Sequence, residues 1–397
     1  MKIAFLTAGG LAPCLSASIG ALIDKYAQLA PRARLFGYEF GYKGLLLGKL
    51  RKFPRNIGDH ADLFYSFGGS PLGNSRVKLT NVQDCINKGY IQEGQDPLEK
   101  AAEQLIKDGI NILHTIGGDD TNTMAGVLAA RLKRNGYDLT VVGLPKTVDN
   151  DIYPIAQSLG AYTAAEQGAL FFENIANENT TSTRHLIIHE VMGRNCGWLT
   201  AYTAKIYHEK LARRSWLEEI GLTRNRWDID AVYIPEMNLN LDQELQRLKL
   251  LMDSKDCVNI FLSEGAVTAG ILKEKKADGQ KISRDAFGHI PLDKINAGEW
   301  LAQKFSKGLK ADKVLVQKSG YFARSAAPNA RDLELIKKSA DLAAEMALKK
   351  KSGVVGLHEN ENNELNLINF KHIKGGKPFE TQQAWFLKLL HEIGQIN

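Results

Sequence analysis

The chain reads Asn111-Ile112-Leu113-His114-Thr115-Ile116-Gly117-Gly118-Asp119-Asp120-Thr121, a short apolar run that ends in two glycines and two aspartates. The run predicts a strand over residues 111–116. The residues after it have the spacing i, i+3, i+4, i+8 of a helix packed on a sheet: Met124, Val127, Leu128 and Leu132. A strand, a glycine turn and a helix in this order are typical of an α/β unit.

Similar apolar runs recur along the chain and are separated by amphipathic stretches. They predict further strands over Lys2–Leu6, Leu139–Leu144, Arg184–His189, Ala231–Ile234, Val258–Leu262, Lys313–Gln317 and Gly353–Leu357. Because these runs are nearly continuous rather than alternating, they indicate parallel sheets buried on both faces. The sequence therefore predicts an α/β fold of doubly wound, mostly parallel sheets, in which ligands bind beyond the carboxyl ends of the strands.

The length of 397 residues favours two domains. We place the boundary near residue 160, because a second series of similar units begins with a predicted helix over residues 162–175. The predicted domains are 1–160 and 161–397. The polar stretch over residues 265–300 is interpreted as a lid-like insertion. A C-terminal docking helix is predicted from the apolar positions Trp385, Phe386, Leu389, Leu390 and Ile393.

Composition and charge exclude several classes of protein. The formal charge is only +6 and the basic residues are scattered, which argues against binding of nucleic acid. The four cysteines form no CxxC pair, so we expect reduced thiols and a cytoplasmic protein. We expect neither a signal peptide nor a membrane span, because no apolar run approaches the necessary length.

A second acidic turn, Pro145-Lys146-Thr147-Val148-Asp149-Asn150-Asp151, follows the strand predicted over residues 139–144. We expect it to lie beside the first acidic turn at one edge of the sheet. Glycine N–H groups, carboxylates and a lysine would then meet, as phosphoryl transfer with a divalent cation requires. Asp119 could bind Mg²⁺. In the second turn one aspartate could accept the proton of a substrate hydroxyl bound by Thr147, while Val148 could contribute only its backbone.

Other glycine and polar clusters also follow predicted strands. Gly9-Gly10 precedes a helix near Ser16 and could direct backbone N–H groups at an anion. Arg194 after Gly193 could make a bidentate contact to phosphate oxygens, and Glu264 could accept hydroxyl groups. Each of these could also be an ordinary turn. The spacing GxxxxGK[ST] is absent from the chain, which excludes a P-loop fold.

In order and spacing of motifs, most of the chain resembles the phosphofructokinase family. The motifs that carry the resemblance are Gly9-Gly10 with Ala12-Pro13, Gly69 with Gly73 and Arg76, Gly117-Gly118-Asp119, Thr147–Asp151 and Met192-Gly193-Arg194. The resemblance implies two α/β domains with the active site in the cleft between them. It also implies Mg²⁺-dependent transfer of phosphate to O1 of fructose 6-phosphate, in glycolysis and gluconeogenesis.

The resemblance also implies roles for individual residues. Asp149 would be the proton acceptor and Asp119 the Mg²⁺ ligand, while Gly10 and Arg76 would contact the phosphoryl donor. Residues 1–160, completed by part of the C-terminal region, would form the donor domain, and 161–397 the sugar-phosphate domain. The residues implied to bind the sugar phosphate are Thr147, Val148, Asp149, Met192, Gly193, Arg194, Glu264, Tyr321, Phe322, Ala323 and Arg324.

Two positions point to the phosphoryl donor. ATP-using members of the family have glycine where this chain has Asp120 and Lys146, whereas the pyrophosphate-using branch has aspartate and lysine. A carboxylate about 4 Å from a nucleotide α-phosphate would cost about 4 kcal/mol at an effective dielectric of about 20. Lys146 could neutralise charge on the leaving phosphate. We therefore expect a reversible, pyrophosphate-dependent enzyme without allosteric control.

The chain departs from the ATP-dependent pattern at several positions. Leu11, Cys14 and Ser16 replace a polar residue, a glycine and an asparagine of the first loop. His185 stands where those enzymes carry an arginine that reaches a neighbouring subunit, and Arg184 would point to the opposite face of the strand. The sequence leaves open which of the two takes that role. Lys318 could replace a further arginine that is absent upstream of Gly320.

Other functions remain open at this point. One is an ATP-dependent phosphofructokinase, or a more distant NAD or lipid kinase with a similar glycine–aspartate turn. Another is a non-catalytic subunit that binds sugar phosphate and regulates a partner. Retention of Asp149, Asp119 and Lys146 argues against a regulatory subunit. The expected ligands are diphosphate and fructose 6-phosphate, and the expected assembly is a homodimer or homotetramer.

Overall fold

The computed structural model describes residues 1–279 and 295–396. Its strands are β1 (Lys2–Thr7), β2 (Arg34–Tyr38), β3 (Leu50–Lys52), β4 (Ile112–Gly117), β5 (Thr140–Pro145), β6 (His185–Val191), β7 (Ala231–Tyr233), β8 (Cys257–Ser263), β9 (Lys313–Lys318), β10 (Gly353–His358) and β11 (Glu364–Ile368). Its α-helices are α1 (Leu15–Leu29), α2 (Tyr42–Leu46), α3 (Val82–Asn87), α4 (Pro97–Asp108), α5 (Asp119–Arg134), α6 (Ala161–Ile175), α7 (Trp198–Ala212), α8 (Arg224–Trp227), α9 (Leu241–Lys255), α10 (Thr268–Ala277), α11 (Ala297–Leu309), α12 (Gly320–Arg324), α13 (Ala330–Leu348) and α14 (Ala384–Glu392).

The chain divides into two compact units, and each unit is formed by two separate segments of the chain. The first unit comprises Met1–Thr163 and Arg324–Lys377, and the second comprises Ala164–Ala323 and Pro378–Asn397. The predicted first domain, residues 1–160, was expected to include part of the C-terminal region, and the structure groups residues 324–377 with residues 1–163. Helix α13 and strand β10 explain this grouping, since they pack on α1 and pair with β5 respectively.

The first unit contains a seven-stranded sheet in the order β11-β10-β5-β4-β1-β2-β3. Its central strands are parallel, and the two edge strands β3 and β11 run antiparallel to their neighbours. Every residue of β4 and β5 is buried, as expected for a parallel sheet covered on both faces. The predicted α/β class and mostly parallel sheet are confirmed.

The second unit contains a four-stranded parallel sheet in the order β7-β8-β6-β9. All residues of β6 and β8 are buried. Every strand predicted from an apolar run is present in one of the two sheets, within two residues of its predicted ends. Strands β2, β3 and β11 were not predicted, because each mixes charged or polar residues with apolar ones and lies at or next to a sheet edge.

Helix α5 follows the first acidic turn and packs against the sheet. Met124, Ala125, Leu128 and Leu132 are buried, but Val127 is 46% exposed, so its predicted place on the packed face is wrong. At about 100° per residue, the four buried positions span an arc of about 100°, and Val127 lies about 60° outside it. The spacing of apolar residues alone does not distinguish Val127 from the positions that are buried.

Two further predictions concern the C-terminal half of the chain. In the predicted lid-like insertion over residues 265–300, residues 280–294 lie outside the described residues, and the flanking parts contain α10 and the start of α11. The predicted C-terminal helix is present as α14, which buries Phe386, Leu389 and Leu390. It contacts α7 of the same unit. Within residues 1–279 and 295–396, no helix combines the length and apolar character needed to cross a bilayer.

A buried histidine joins α7 to α14. His208 Nδ1 lies 2.8 Å from Asp228 Oδ1, and its Nε2 lies 3.1 Å from Glu392 Oε2. Burial lowers the pKa of His208, but the hydrogen bond and charge of Asp228 outweigh this effect and leave the pKa above 6.5, while Arg224 opposes the increase. Burial raises the pKa of Asp228, but its contacts with His208 outweigh it and hold the pKa below 3.8.

These shifts predict a pH-dependent contribution to stability. Because the folded pKa of His208 is raised, its contribution is full below about pH 6.5 and is lost as the pH rises through the folded pKa. We expect His208→Ala to lower the free energy of unfolding by about 1–3 kcal/mol at pH 6, and by less at pH 9. Urea denaturation at both pH values measures this difference. His391→Ala, on the exposed face of α14, is the control, and an equal loss at both pH values for His208→Ala would contradict the assignment.

Candidate active site

Three loops of the first unit meet at the carboxyl ends of adjacent parallel strands. These loops follow β1, β4 and β5, which are neighbours in the order β5-β4-β1. The main chain links them directly, because Ala8 N donates to Ile116 O at 3.1 Å and Lys146 N donates to Gly117 O at 2.8 Å. The two acidic turns therefore lie side by side, as the sequence predicts, and the Gly9-Gly10 loop lies next to them.

Lys146 is the buried cation of this site. It is 5% exposed, and its Nζ donates to Gly10 O at 2.6 Å. A Cβ atom on Gly9 would lie 3.1 Å from this Nζ, and one on Gly10 would lie 3.6 Å from a terminal nitrogen of Arg76. The two glycines thus leave room for both cations against the loop. Burial lowers the pKa of Lys146, and the charge of Arg76 adds to the decrease while that of Asp149 opposes it.

The second acidic turn is ordered by its own side chains. Thr147 Oγ1 accepts a hydrogen bond from Asp149 N at 3.1 Å and donates to Asp151 Oδ1 at 3.1 Å. Asn150 has a φ of +55° and is buried, and its Oδ1 accepts from Ser158 N at 2.7 Å. Val148 is buried at 6% exposure, which fits the expectation that only its backbone contributes. The hydrogen bonds of Thr147 and Asn150 therefore hold the backbone of the turn in place, including that of Asp149.

Asp119 and Asp151 are half-buried carboxylates from neighbouring turns. Burial raises the pKa of Asp119, and the charges of Asp120 and Asp151 add to the increase. Burial also raises the pKa of Asp151, against the lowering effects of Thr147, Lys377 and Lys146. A cation would relieve the electrostatic repulsion that raises the pKa of Asp119.

The oxygen ligands of this site fit a divalent cation such as Mg²⁺. In the part of the chain that the structure describes, no group of three or more histidine, cysteine or acidic side chains could hold a metal. Mg²⁺ is commonly bound by only one or two carboxylates, with water and substrate phosphates completing its shell. Asp119 and Asp151 therefore match the requirements of a cation that arrives with a phosphate ligand.

Asp120 differs from its neighbour in exposure. Its side chain is 62% exposed and forms an ion pair with Lys78, with 2.5 Å between Nζ and Oδ2. The negative charge of Asp120, which was expected to repel a nucleotide, is therefore partly compensated by Lys78 and is in contact with solvent. Both effects lower the repulsion between Asp120 and a nucleotide phosphate below about 4 kcal/mol, the value for two charges about 4 Å apart at an effective dielectric of about 20.

Asn122 joins the first acidic turn to strand β5, through a 3.4 Å hydrogen bond from its Nδ2 to Leu144 O, and was not identified from the sequence. It is fully buried in α5, and its Nδ2 donates to Gly117 O at 2.9 Å and to Gly118 O at 3.1 Å. Its Oδ1 accepts from Thr115 Oγ1 at 2.9 Å. A polar residue on the buried face of a helix was the available signal, because such a group must be hydrogen-bonded.

In the second unit, the ends of β6 and β8 form one hydrogen-bonded cluster. Gly193 has a φ of +141°, and its N–H donates to Glu264 Oε1 at 3.3 Å. Its carbonyl accepts from Ser263 Oγ at 2.6 Å. A Cβ atom on Gly265 would lie 1.8 Å from Arg194 O, so this position requires glycine. The structure thus brings together Met192-Gly193-Arg194 and Glu264, and burial raises the pKa of Glu264.

The end of β9 lies beside this cluster. A Cβ atom on Gly320 would be 3.0 Å from Met192 Cγ. Tyr321 is 79% exposed and Phe322 49% exposed, whereas Ala323 is buried. Arg324 belongs to the first unit, since the division falls between Ala323 and Arg324.

His189 and Glu190 support the β9 loop and were not assigned from the sequence. His189 Nε2 lies 2.8 Å from Ser319 Oγ, and burial among aromatic rings lowers the pKa of His189 to about 3. Glu190 pairs with Lys318 at 2.9 Å and accepts from Gly298 N at 2.8 Å. Lys318, predicted as a replacement for an arginine, is therefore already paired within the unit.

Arg184 and His185, the two candidates for a contact with a neighbouring subunit, both make contacts within the second unit. Arg184 pairs with Asp253 at 2.9 Å, and its Nε donates to Lys310 O at 2.8 Å. His185 is fully buried, and its Nδ1 lies 3.0 Å from Glu178 O. Both side chains are engaged inside their own unit.

Comparison with known proteins agrees with this geometry. The sequence model of the family described as phosphofructokinase matches residues 2–347. The chain belongs to the phosphofructokinase family. The chain is 56% identical over 394 residues to the pyrophosphate–fructose 6-phosphate 1-phosphotransferase of Methylotuvimicrobium alcaliphilum, covering 99% of this chain and 96% of that one.

Two further relatives support the family and the fold. The chain is also 53% identical over 394 residues to the pyrophosphate–fructose 6-phosphate 1-phosphotransferase of Propionibacterium freudenreichii, covering 99% of this chain and 98% of that one. A crystal structure of a pyrophosphate-dependent phosphofructokinase from Marinobacter aquaeolei is similar with a TM-score of 0.72 at 20% identity, covering 98% of this chain and 91% of that one. The family predicted from the motifs is confirmed.

Proposed function

We propose that this protein is a pyrophosphate-dependent 6-phosphofructokinase. It transfers a phosphoryl group from diphosphate to O1 of fructose 6-phosphate and releases fructose 1,6-bisphosphate and phosphate, reversibly. The observation that carries the proposal is the position of Lys146, a buried ammonium group 2.6 Å from Gly10 O, with Arg76 beside the same loop. Two cations at a glycine loop suit a small, highly charged donor.

Asp149 and Thr147 act on the attacking hydroxyl in this proposal. The O1–phosphorus bond forms as the bridging oxygen–phosphorus bond of diphosphate breaks, and the O1 proton passes to the Asp149 carboxylate. Thr147 fixes the Asp149 backbone through a 3.1 Å hydrogen bond and orients Asp151 through another. General-base assistance of this kind contributes about 10²–10⁴-fold to the rate.

Lys146 and Arg76 act on the donor. Diphosphate carries several negative charges, and the leaving phosphate gains charge as the bridging bond breaks. Lys146 is held in place by Gly10 O before the reaction begins, so little reorganisation is needed. Positive charge fixed in a buried site stabilises this charge more than solvent does.

Asp119, with Asp151 as its neighbour, would hold Mg²⁺ in this site. When bound, Mg²⁺ neutralises the donor's oxygens and helps to place the phosphorus atom for attack. The chain's own contribution is to hold Asp119 at the start of α5 and to keep Asp151 hydrogen-bonded to Thr147.

The sugar phosphate is assigned to Arg194 and to the residues placed around it in the second unit. Arg194 offers a bidentate guanidinium to phosphate oxygens. Glu264, fixed by Gly193 N, offers a carboxylate oxygen to sugar hydroxyl groups. The other proposed contacts are Thr147, Val148, Met192, Gly193, Tyr321, Phe322, Ala323 and Arg324.

A coupled assay tests the function directly. The purified full-length protein is supplied with fructose 6-phosphate and Mg²⁺, and with either diphosphate or ATP. We expect turnover with diphosphate and little or none with ATP. Turnover with ATP alone would assign an ATP-dependent enzyme, and sugar-phosphate binding without turnover would assign a regulatory subunit.

The role of Asp120 is tested by Asp120→Gly, which removes the charge facing the donor. Repulsion of a nucleotide α-phosphate lies between about 1 kcal/mol at the dielectric of water and about 4 kcal/mol at a dielectric of about 20. Because Asp120 is exposed and paired with Lys78, we expect the lower part of this range. Its kcat/KM for ATP should rise about tenfold, measured with Asp138→Gly as a surface control. No gain in ATP use would contradict the repulsion argument.

We also propose that the enzyme works in the cytoplasm as a homodimer or homotetramer. All four cysteines are free and buried, as expected for a reducing compartment. Light scattering coupled to gel filtration measures the number of subunits. A monomer that is fully active would overturn the proposed homodimer or homotetramer.

A further inference from the structure

A loop near the end of the first unit touches the first acidic turn. It consists of Lys374-Gly375-Gly376-Lys377, which we name the glycine-pair loop. A Cβ atom on Gly375 would lie 2.0 Å from Asp119 Oδ2 and 2.5 Å from its Cγ. Real Cβ atoms essentially never approach other atoms closer than 3.0 Å, so any side chain at position 375 would displace the Asp119 carboxylate.

The same loop is fixed to the second acidic turn. Lys377 N donates to Asp151 O at 2.9 Å, and Lys374 exchanges two backbone hydrogen bonds with Tyr153, at 2.7 and 3.0 Å. Lys377 Nζ donates to Ile155 O at 2.5 Å and to Glu359 Oε1 at 2.5 Å. Both ends of the loop are therefore anchored, and the glycines between them cannot easily withdraw.

The loop thus spans the two carboxylates assigned to the metal. Asp119 comes from the turn after β4 and Asp151 from the turn after β5, and the loop contacts the side chain of one and the main chain of the other. We propose that Gly375 is a positioning residue for the cation and diphosphate, acting through Asp119. The inference rests on the proposed role of Asp119 as the metal ligand.

The physical reason is the geometry that the cation demands. Asp119 is the first residue of α5 and is only half-buried, so its carboxylate has alternative rotamers available on its open side. The main chain of Gly375 excludes those that point into the loop. Because Mg²⁺ requires near-ideal octahedral geometry, a displaced carboxylate oxygen weakens its binding.

Two neighbouring glycines provide a matched test. In Gly375→Ala the new methyl group meets Asp119, whereas in Gly376→Ala it meets nothing within 4 Å, although the φ of +75° strains the loop. Gly136→Ala has a φ of +77° and equally open space far along the chain, and controls for strain outside the loop. The full-length protein is titrated with Mn²⁺ by electron paramagnetic resonance, and the KM values for diphosphate and for fructose 6-phosphate are measured.

We expect Gly375→Ala to weaken Mn²⁺ binding and raise the KM for diphosphate by about 10–100-fold, the usual loss when a partner of a metal ligand is changed. The KM for fructose 6-phosphate should change much less. Gly376→Ala should have a clearly smaller effect on Mn²⁺, and Gly136→Ala none. Equal effects from Gly375→Ala and Gly376→Ala would show that loop strain alone is responsible, and would overturn the proposal.

A double variant tests whether Gly375 acts through Asp119. If it does, adding Gly375→Ala to Asp119→Ala changes the Mn²⁺ affinity and the diphosphate KM no further, because the contact is already gone. Additive losses would overturn the proposal. If Gly375→Ala alone fails to fold, recovery of the folded state in the double variant supports the direct contact, and a double variant that also fails to fold contradicts it.

The failure of this inference can be distinguished from failure of the proposed metal site. Asp119→Asn is measured in the same Mn²⁺ titration. Unchanged Mn²⁺ binding in Asp119→Asn would remove Asp119 from the metal site, and this inference with it. Lost binding in Asp119→Asn together with normal binding in Gly375→Ala would overturn the positioning role alone.

Discussion

Asp149→Ser is expected to lower kcat by about 10²–10⁴-fold with diphosphate as donor, because the carboxylate proposed to accept the O1 proton is removed. The serine hydroxyl keeps a small polar side chain in the turn, and the Asp149 backbone bond to Thr147 does not depend on the carboxylate. Binding of fructose 6-phosphate should therefore change little. Steady-state kinetics, together with equilibrium binding of fructose 6-phosphate, separate the two effects.

A surface aspartate of the same unit provides the control for this substitution. Asp138 is 69% exposed and pairs only with the exposed Lys350 among the described residues, so Asp138→Ser should leave kcat unchanged. If Asp149→Ser retained near-normal turnover, Asp149 would not be the proton acceptor. Asp151 would then be the next candidate, since its carboxylate belongs to the same turn and accepts a hydrogen bond from Thr147 Oγ1.

Lys146→Met is expected to lower kcat with diphosphate by about 10²–10³-fold, the loss typical when one preorganised electrostatic contact to a developing charge is removed. Methionine has a similar length and suits the buried position, so packing is largely kept. The affinity for fructose 6-phosphate should change little, because the lysine contacts the Gly9-Gly10 loop. Kinetics with varied diphosphate, at saturating fructose 6-phosphate, measure the loss.

Lys350→Met is the matched control for Lys146→Met. Lys350 is 76% exposed, and its ion pair with Asp138 is a surface pair of little energetic value. Thermal unfolding of both variants checks that the fold is intact. A kcat for Lys146→Met within about threefold of the wild-type value would exclude a direct electrostatic role, since the loss expected from such a contact is far larger.

The main features of the candidate site could be predicted because they depend on local sequence. Glycines followed by aspartates at the end of an apolar run indicate a strand end with free N–H groups and carboxylates, whatever the rest of the chain does. Parallel strands place such ends at one edge of the sheet. The adjacency of Gly117–Asp120 and Lys146–Asp151, confirmed by the 2.8 Å bond from Lys146 N to Gly117 O, follows from these two rules.

The details of charge could not be predicted in the same way. The pairing of Asp120 with Lys78 joins the first turn of α5 to a loop far away in sequence, and no spacing of residues indicates it. The exposure of Val127 was missed for a related reason. The spacing of apolar residues shows that they share one side of the helix, but not which part of that side faces the sheet. Both depend on which neighbours the fold supplies.

The sequence by itself determined the α/β class, the strands with continuous apolar runs, the two acidic turns and the family. Only the tertiary structure decided which C-terminal residues, 324–377, belong to the first unit, and that Gly375 lies against Asp119. The physical reason is the distance along the chain between the residues that interact. Strand and turn preferences come from residues next to one another in the chain, whereas a contact between residues 119 and 375 exists only after strands far apart in sequence have paired.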